Sequence, residues 1–180
     1  MGHPGAMSDD IDLTRDLLRD GFGRVAEGVP AVVDGLSPDQ LLWRPDADAN
    51  HIAWLVWHLG RQQDGQVSHL AGRRSLWTGD DWVGRFALPY DRSASGYGMP
   101  SDDVGRFTLD EPQLLVDYYA AVHAMTTDVL EQLTPDDLGE VIDTSWDPPV
   151  TAMARLVSIL EDATKHLGQA EYVRGLAERR

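Results

Sequence analysis

The sequence predicts an all-α fold, a four-helix bundle with one long crossover connection between its second and third helices. Four separate segments carry apolar residues at three- and four-residue spacing, which is the pattern of amphipathic helices. No segment has a credible pattern for strand pairing, and a stretch rich in Gly and Pro, residues 71–110, separates the second helical segment from the third. Amphipathic helices bury their apolar stripes against one another, so this combination favours a bundle.

The first predicted helix runs from about Ile11 to Leu36. Gly28 and Pro30 lie within it and are expected to kink or divide it, because proline removes a backbone donor and crowds the preceding turn. The run Ser37-Pro38-Asp39 then supplies an N-cap and a first-turn proline, which predicts a short helical segment through Leu42.

The second predicted helix begins near Asn50, which is expected to act as its N-cap, and continues to about Leu70. The first half of this helix is apolar on almost every side, so it should lie deep in the bundle. The connection from Ala71 to Asp110 is predicted to be irregular, with a short helix at residues 80–83. A connection of this length in a compact domain is typical of a lid or a binding loop.

The third helix has a continuous apolar stripe from Leu115 to Leu133, with Pro112 in its first turn. The fourth helix is predicted from about Thr151 to Ala177. Its apolar positions again follow helical spacing, which completes the set of four amphipathic helices.

The length of 180 residues fits a single domain. Residues 1–6 are predicted to be the remnant of an expression tag, which leaves residues 7–180 as one domain with native translation starting at Met7. No apolar run is long enough to cross a bilayer, and no signal-peptide pattern is present, so we expect a cytoplasmic protein.

Cysteine is absent, which excludes disulfides, thiolate nucleophiles and thiolate metal ligands. Any metal ion must therefore be held by nitrogen and oxygen. The formal net charge is -15, which repels nucleic acids and anionic membrane surfaces. We therefore expect neither as a partner.

Asp162 and His166 lie four residues apart on the last predicted helix, so one cation could contact both side chains, although a simple ion pair has the same spacing. His58 lies in the most apolar helix, where a buried imidazole needs a partner for each ring nitrogen. That partner is either a metal ion or, in the alternative, a backbone carbonyl, Tyr118 or Tyr119. Two histidines and one carboxylate would leave coordination positions open, as catalytic metal sites do.

Two segments, Ile52–Asp64 and Asp162–Gly175, resemble the second-helix and last-helix motifs of the DinB-like superfamily, in its actinobacterial mycothiol-transferase-like branch. Between these two segments, Asp81-Trp82 and Gly96-Tyr97-Gly98 are also similar to that branch. This resemblance extends from about Leu36 to Gly175.

The resemblance implies a DinB-like four-helix bundle, often a homodimer, that holds a divalent metal ion (zinc, nickel or a similar ion) on His58, Asp162 and His166. Many relatives carry a third histidine where this chain has Asp162, and a carboxylate is a harder ligand that changes metal preference. Characterised relatives use the metal in transfer of a low-molecular-weight thiol, which would be a mycothiol-like co-substrate here. The thiol would lose its proton on the metal and attack a small electrophile held under the long loop.

Five further residues are expected to contact substrate or to orient the ligands: Arg61, Asp64, Trp82, Tyr97 and Gln169. In the alternative, Arg61 and Asp64 form a solvated ion pair, and the aromatic residues belong to the core. His51, which shares a helix face with His58, is left outside the predicted site but is the strongest candidate to join it.

The sequence thus predicts a metal-dependent transferase that uses a small thiol. Two alternatives stay open: a non-catalytic, stress-associated metal-binding bundle, and a hydrolase in which the metal activates water.

Overall fold

The computed structural model describes residues 4–180, with side chains described from Asp10 onward. Part of the predicted tag remnant, residues 1–6, lies outside the described residues, and its origin stays a prediction. The elements of the described chain are α1 (Pro4–Val33), α2 (Pro38–Leu41), α3 (Ile52–Leu70), α4 (Leu76–Gly79), α5 (Trp82–Phe86), α6 (Ser101–Val104), α7 (Gln113–Gln132), α8 (Pro135–Gly139), β1 (Val141–Asp143), β2 (Val150–Thr151) and α9 (Ala152–Ala177).

Four long helices, α1, α3, α7 and α9, form the bundle, which confirms the predicted all-α fold class. Around the bundle each helix packs against two neighbours, in the order α1, α7, α3, α9, and the most extensive packing joins α3 to α9. Helix α3 is buried on nearly every side over its first half, as its apolar sequence predicts. The main hydrophobic cluster forms around it.

Helix α1 continues through Pro30, so the predicted division of this helix is wrong. Pro30 lies on an exposed side and close to the end at Val33, where the loss of one backbone hydrogen bond is tolerated. The predicted segment after it is confirmed as α2, which begins with a capping box between Ser37 and Gln40.

The N-cap of α3 is His51 and not the predicted Asn50. The Nδ1 atom of His51 accepts a hydrogen bond from the amide of Trp54 at 3.0 Å, while Nε2 lies 3.1 Å from the carbonyl oxygen of Val104. The longer imidazole side chain therefore caps the helix and contacts the crossover at the same time, which asparagine at position 50 does not do.

The crossover between α3 and α7 contains three short helices and is less irregular than predicted. Helix α5 begins at Trp82, two residues later than the predicted segment, because Asp81 adopts a left-handed conformation with φ of 55°. Asp64 anchors the crossover, since its carboxylate accepts hydrogen bonds from the amides of Leu76 and Trp77, both at 2.8 Å.

A two-stranded antiparallel sheet, β1 with β2, lies before α9, although the sequence predicted no strand pairing. The strands have three and two residues, which is too short for an alternating pattern to be visible. Within residues 4–180, no helix is long and apolar enough to cross a membrane.

Candidate metal centre

Helices α3 and α9 bring His58, Asp162 and His166 together. One ligand atom from each of the three side chains lies within 4.8 Å of the others, a spacing at which they could hold one metal ion. The imidazole of His58 comes from the buried face of α3, and the other two side chains come from successive turns of α9. The two imidazole rings meet edge to face, with centroids 4.7 Å apart.

The ring of His58 is held in a fixed orientation. It is 5% exposed, stacks on Trp54 with centroids 4.6 Å apart, and places Nδ1 at 2.6 Å from the carbonyl oxygen of Ser95. A carbonyl only accepts, so Nδ1 carries the hydrogen and Nε2 carries the lone pair. Burial lowers the pKa of His58, against the opposing effect of the Ser95 carbonyl, and the neutral ring is the form that binds metal.

His166 is oriented by Gln169, one turn further along α9. Its Nδ1 lies 2.7 Å from the Oε1 atom of Gln169, and its Nε2 lies 3.5 Å from the Oδ1 atom of Asp162. The hydrogen bond to Asp162 raises the pKa of His166, while partial burial opposes this effect. Gln169 thus holds the Nδ1–H of His166, which leaves Nε2 directed at the carboxylate.

Asp162 has a carboxylate oxygen that fits a cation. Its Oδ2 atom is buried and has no hydrogen-bond partner among the residues that the structure describes. Burial acts to raise the pKa of Asp162, but the hydrogen bond and charge of His166 lower it overall, so the group is ionised. An unpaired buried carboxylate oxygen is costly, and a divalent cation between it and two imidazoles would satisfy it. Two nitrogens and one oxygen suit zinc, nickel and similar ions and leave positions open.

Arg61 and Asp64 are both buried, so the alternative of a solvated ion pair is wrong. The Nη1 atom of Arg61 lies 3.7 Å from the Oδ2 atom of Asp64. Asp64 also accepts a hydrogen bond from the hydroxyl of Tyr118 at 2.9 Å. Burial, together with the charge of Asp64, raises the pKa of Tyr118 well above its ordinary value, so this hydroxyl stays a donor.

The other predicted site residues lie in different surroundings. Trp82 is buried, packs against Tyr118 and carries Arg85 over its ring at 3.8 Å, which is core packing. Tyr97 is 88% exposed. Both ring nitrogens of His51 have backbone partners, so His51 does not join the cluster. The predicted substrate contacts of Trp82 and Tyr97 stay predictions.

Two contributors to the site, Ser95 and Gly96, were not predicted as such. Ser95 acts through its backbone carbonyl, which no residue type signals. Gly96 has φ of +87°, and a Cβ atom at this position would lie 2.5 Å from Nδ1 of His58. The Gly96-Tyr97-Gly98 run in a polar loop was the available signal, because a loop glycine often marks a close backbone approach.

Comparisons with known proteins agree with this architecture. The family model of the DinB superfamily matches residues 22–170, which include all three clustered side chains. The chain belongs to the DinB superfamily. The crystal structure of a conserved protein from Enterococcus faecalis is similar to it, with 32% sequence identity and a TM-score of 0.87, over 92% of this chain and 97% of that one. The comparison with curated proteins gives no match.

An open groove of about 780 Å³ lies along the α3/α9 seam of this DinB-superfamily chain. Its lining includes Gln169, the partner of His166, together with Lys165 and Leu55. Asp46 and Asn50, in the segment before α3, also line it. The three clustered side chains themselves do not line the groove, and Gln169, the hydrogen-bond partner of His166, is the residue that connects the two. A small molecule in the groove would have both polar and apolar contacts.

Proposed function

We propose that this protein is a divalent-metal-dependent S-transferase that joins a low-molecular-weight, mycothiol-like thiol to a small electrophile. The observation that supports the proposal best is the cluster of His58, Asp162 and His166, with its unpaired buried carboxylate oxygen. The second-helix and last-helix motifs resemble those of the mycothiol-transferase-like branch, and this resemblance is the reason for proposing thiol transfer as the reaction. We place the protein in the cytoplasm, where such thiols are kept reduced.

The chain supplies binding and orientation for this reaction and no nucleophile of its own, since it has no cysteine. A divalent cation on the three side chains would lower the pKa of a coordinating thiol, so that thiolate is present at neutral pH. The two imidazoles hold their Nδ1–H bonds on Ser95 and Gln169, which keeps Nε2 of each ring available as a ligand. The electrophile would occupy the groove beside Gln169, with Lys165 and Asn50 as polar contacts. This place differs from the one expected from the sequence, under the long loop, because no described crossover residue lines the groove.

Metal content tests the centre. We expect about one divalent ion per chain in the purified protein and almost none in the double variant H58A/H166A, because a lone carboxylate holds such ions weakly. The control is H69A, which removes an exposed histidine at the other end of α3. Equal metal content in the double variant and in the control, measured by elemental analysis, would contradict the site.

Activity tests the reaction. Metal-loaded protein is incubated with cysteine-derived thiols, including mycothiol, and with a haloaromatic or epoxide electrophile. Thioether formation that disappears with chelator and in H58A/H166A supports the transferase. Metal binding without any thioether above background favours the non-catalytic bundle, and metal-dependent hydrolysis of the electrophile without thiol favours the hydrolase.

We also propose a homodimer, on the basis of the family resemblance and of large apolar side chains that α1 and α9 expose. These side chains are Leu13, Leu17, Met153 and Val157. Light scattering of the wild type and of the L17E/V157E variant tests this proposal, and a wild-type monomer at micromolar concentration would contradict it.

A further inference from the structure

We propose that Arg61 is a positioning residue for the metal ligand His58 and acts through the backbone of the crossover. In this proposal Arg61 holds the segment Ala94–Ser95 so that the Ser95 carbonyl fixes the tautomer and the rotation of the His58 ring. The inference rests on the proposed metal centre, but its main readout, the tautomer of His58, can be measured without metal.

Arg61 is buried and donates a hydrogen bond to the crossover. The side chain is 6% exposed, and its Nε–H donates to the carbonyl oxygen of Ala94 at 3.2 Å. Its guanidinium carbon lies 4.7 Å from the centroid of the Trp77 ring, and Asp64 provides the opposite charge. Burying a guanidinium costs several kcal/mol unless hydrogen bonds and charges compensate for it. Nη1 has no hydrogen-bond partner among the described residues, so the bond from Nε–H to the Ala94 carbonyl is the directional contact that places this side chain.

Arg61 is linked to the metal ligand His58 through two adjacent residues of the crossover. Ala94 and Ser95 are adjacent, so the bond that holds the Ala94 carbonyl also sets the position of the Ser95 carbonyl. Two more side chains hold this part of the crossover, one at Ser95 and one at Arg92. Gln62 donates to the hydroxyl of Ser95 at 3.3 Å, and the indole of Trp77 donates to the carbonyl of Arg92 at 2.9 Å. Gln62 and Trp77 are neutral, whereas Arg61 is charged and almost fully buried.

Without the support of the crossover, His58 would lose the contact that selects its tautomer. Stacking on Trp54 keeps the plane of the His58 ring but does not select between its two nitrogens. The hydrogen bond to Ser95 makes that selection, since it requires Nδ1–H and leaves Nε2 free to bind metal. If the carbonyl moves away, the Nε2–H tautomer becomes populated, and the neutral ring then presents a hydrogen where the cation should bind.

The variant R61K tests the proposal. Lysine keeps the positive charge near Asp64, but its ammonium lies one atom further along the side chain than the arginine Nε, so charge compensation is retained while the 3.2 Å bond to the Ala94 carbonyl is displaced. We expect about a 10- to 100-fold weaker affinity for zinc or nickel, the usual cost of removing an outer partner of a metal ligand. In the metal-free protein, ¹⁵N NMR of the imidazoles should show a mixture of tautomers at His58, where the wild type has Nδ1–H.

Two additional variants separate positioning from general stability. L130A removes a buried side chain in a second hydrophobic cluster, which includes Phe22, Leu130 and Ile159, and serves as the control for lost stability. R61M is a second replacement, which is neutral and has no hydrogen-bond donor in its side chain. Equal loss of metal affinity in L130A and R61K would overturn the proposal, as would a wild-type tautomer and wild-type affinity in both Arg61 variants. Failure of both Arg61 variants to fold would also overturn it, because a positioning role leaves the bundle intact.

The two proposals can fail separately. A wild-type protein that binds no divalent ion would overturn the proposed function, while the NMR comparison of wild type and R61K would still decide whether Arg61 sets the His58 tautomer.

Discussion

The two ring nitrogens of His58 have separate tasks in the proposed centre, and the nearest backbone makes this separation possible. The Ser95 carbonyl approaches Nδ1 to 2.6 Å only because the next residue, Gly96, has no side chain to fill the space. The conformation of Gly96, with φ of +87°, is also one that other residues rarely adopt.

The variant G96A is therefore expected to weaken metal binding by at least about tenfold, the cost of a displaced outer partner. A Cβ atom there would lie 2.5 Å from Nδ1 of His58 and 2.9 Å from the Trp54 ring. The matched control is G98A, which also has positive φ but has open space around the added carbon. Both variants should lose about 1–2 kcal/mol of stability from the backbone conformation. Equally weak metal titration curves for the two would contradict the steric explanation.

His51 gives a pH-dependent prediction. Burial lowers the pKa of His51 to about 4, with the nearby charge of Arg44 acting in the same direction and the Val104 carbonyl opposing both. A group whose folded pKa lies below its unfolded value of 6.5 contributes stability at higher pH, and this contribution is lost as pH falls from 6.5 towards 4. The expected loss is about 3 kcal/mol across this window.

Urea unfolding at pH 7 and pH 4 measures this loss. The control variant H51N keeps a good N-cap side chain but does not titrate. It should be less stable than wild type at pH 7 and should lose less stability on acidification. An identical loss in wild type and H51N would show that other groups cause the pH dependence.

At the residue scale, the three clustered side chains were predictable because an Asp and a His four residues apart on a helix share a face, and His58 lies in an apolar helix. The roles of Ser95 and Gly96 were not predictable from spacing, because a backbone carbonyl leaves no residue signature. The burial of Arg61 and Asp64 was missed for a related reason. Charged residues at this spacing usually form a solvated pair, and only the folded crossover covers them.

Among the elements, α1 and α9 pack closely at Gly28 of α1, which faces the Leu167 side chain of α9. A Cβ atom on Gly28 would lie 2.4–3.3 Å from three side-chain carbons of Leu167, the residue that follows His166. A Cβ atom on Gly23, on the same helix, would have no atom of the described residues within 4 Å. The absence of a side chain at position 28 therefore allows α9 to pack closely against α1.

We expect opposite effects of the same substitution at these two glycines. G23A should stabilise the protein by about 0.5–1 kcal/mol, since alanine loses less backbone entropy in a helix. G28A should destabilise it by about 1–3 kcal/mol, because the Leu167 side chain has to leave its packed position. Thermal unfolding of the two variants measures the difference, and a stabilising G28A would show that α9 adapts without cost.

The long helices were predictable from periodicity, but several of their ends were not. The cap of α3 depends on a contact between His51 and the crossover, which sequence-local rules for Asn50 cannot include. The passage of α1 through Pro30 depends on the exposed position of that residue, which is known only once the helix is packed.

For the whole molecule, the candidate centre joins the helix pair with the most extensive packing, α3 and α9. A cation bound there should stabilise the folded state, since the unfolded chain does not bring the three ligands together. At a free metal concentration 100 times Kd, the gain is about 2.7 kcal/mol.

This gain predicts that zinc or nickel raises the Tm of the wild type by roughly 5–10 °C, given the usual relation of stability to Tm at this chain length. Chelator should reverse the shift, and H58A/H166A should show none. A similar shift in the double variant, followed by differential scanning fluorimetry, would place the stabilising ion somewhere else.

The all-α class and the long crossover were predictable from the sequence because each helix carries its own apolar stripe. The order of the helices around the bundle was not predictable. An amphipathic stripe indicates that a helix packs against something, but it does not indicate which helix is the neighbour.

The distance along the chain between the ligands has a consequence for biosynthesis. His58 leaves the ribosome long before Asp162 and His166, which lie on the last helix. Two of the three ligands are therefore missing from the nascent chain until α9 has been synthesised, so the candidate centre can form only after α9 packs against α3. A nascent chain that still lacks α9 would offer a cation only the single imidazole of His58, and loading with metal would follow the synthesis of α9.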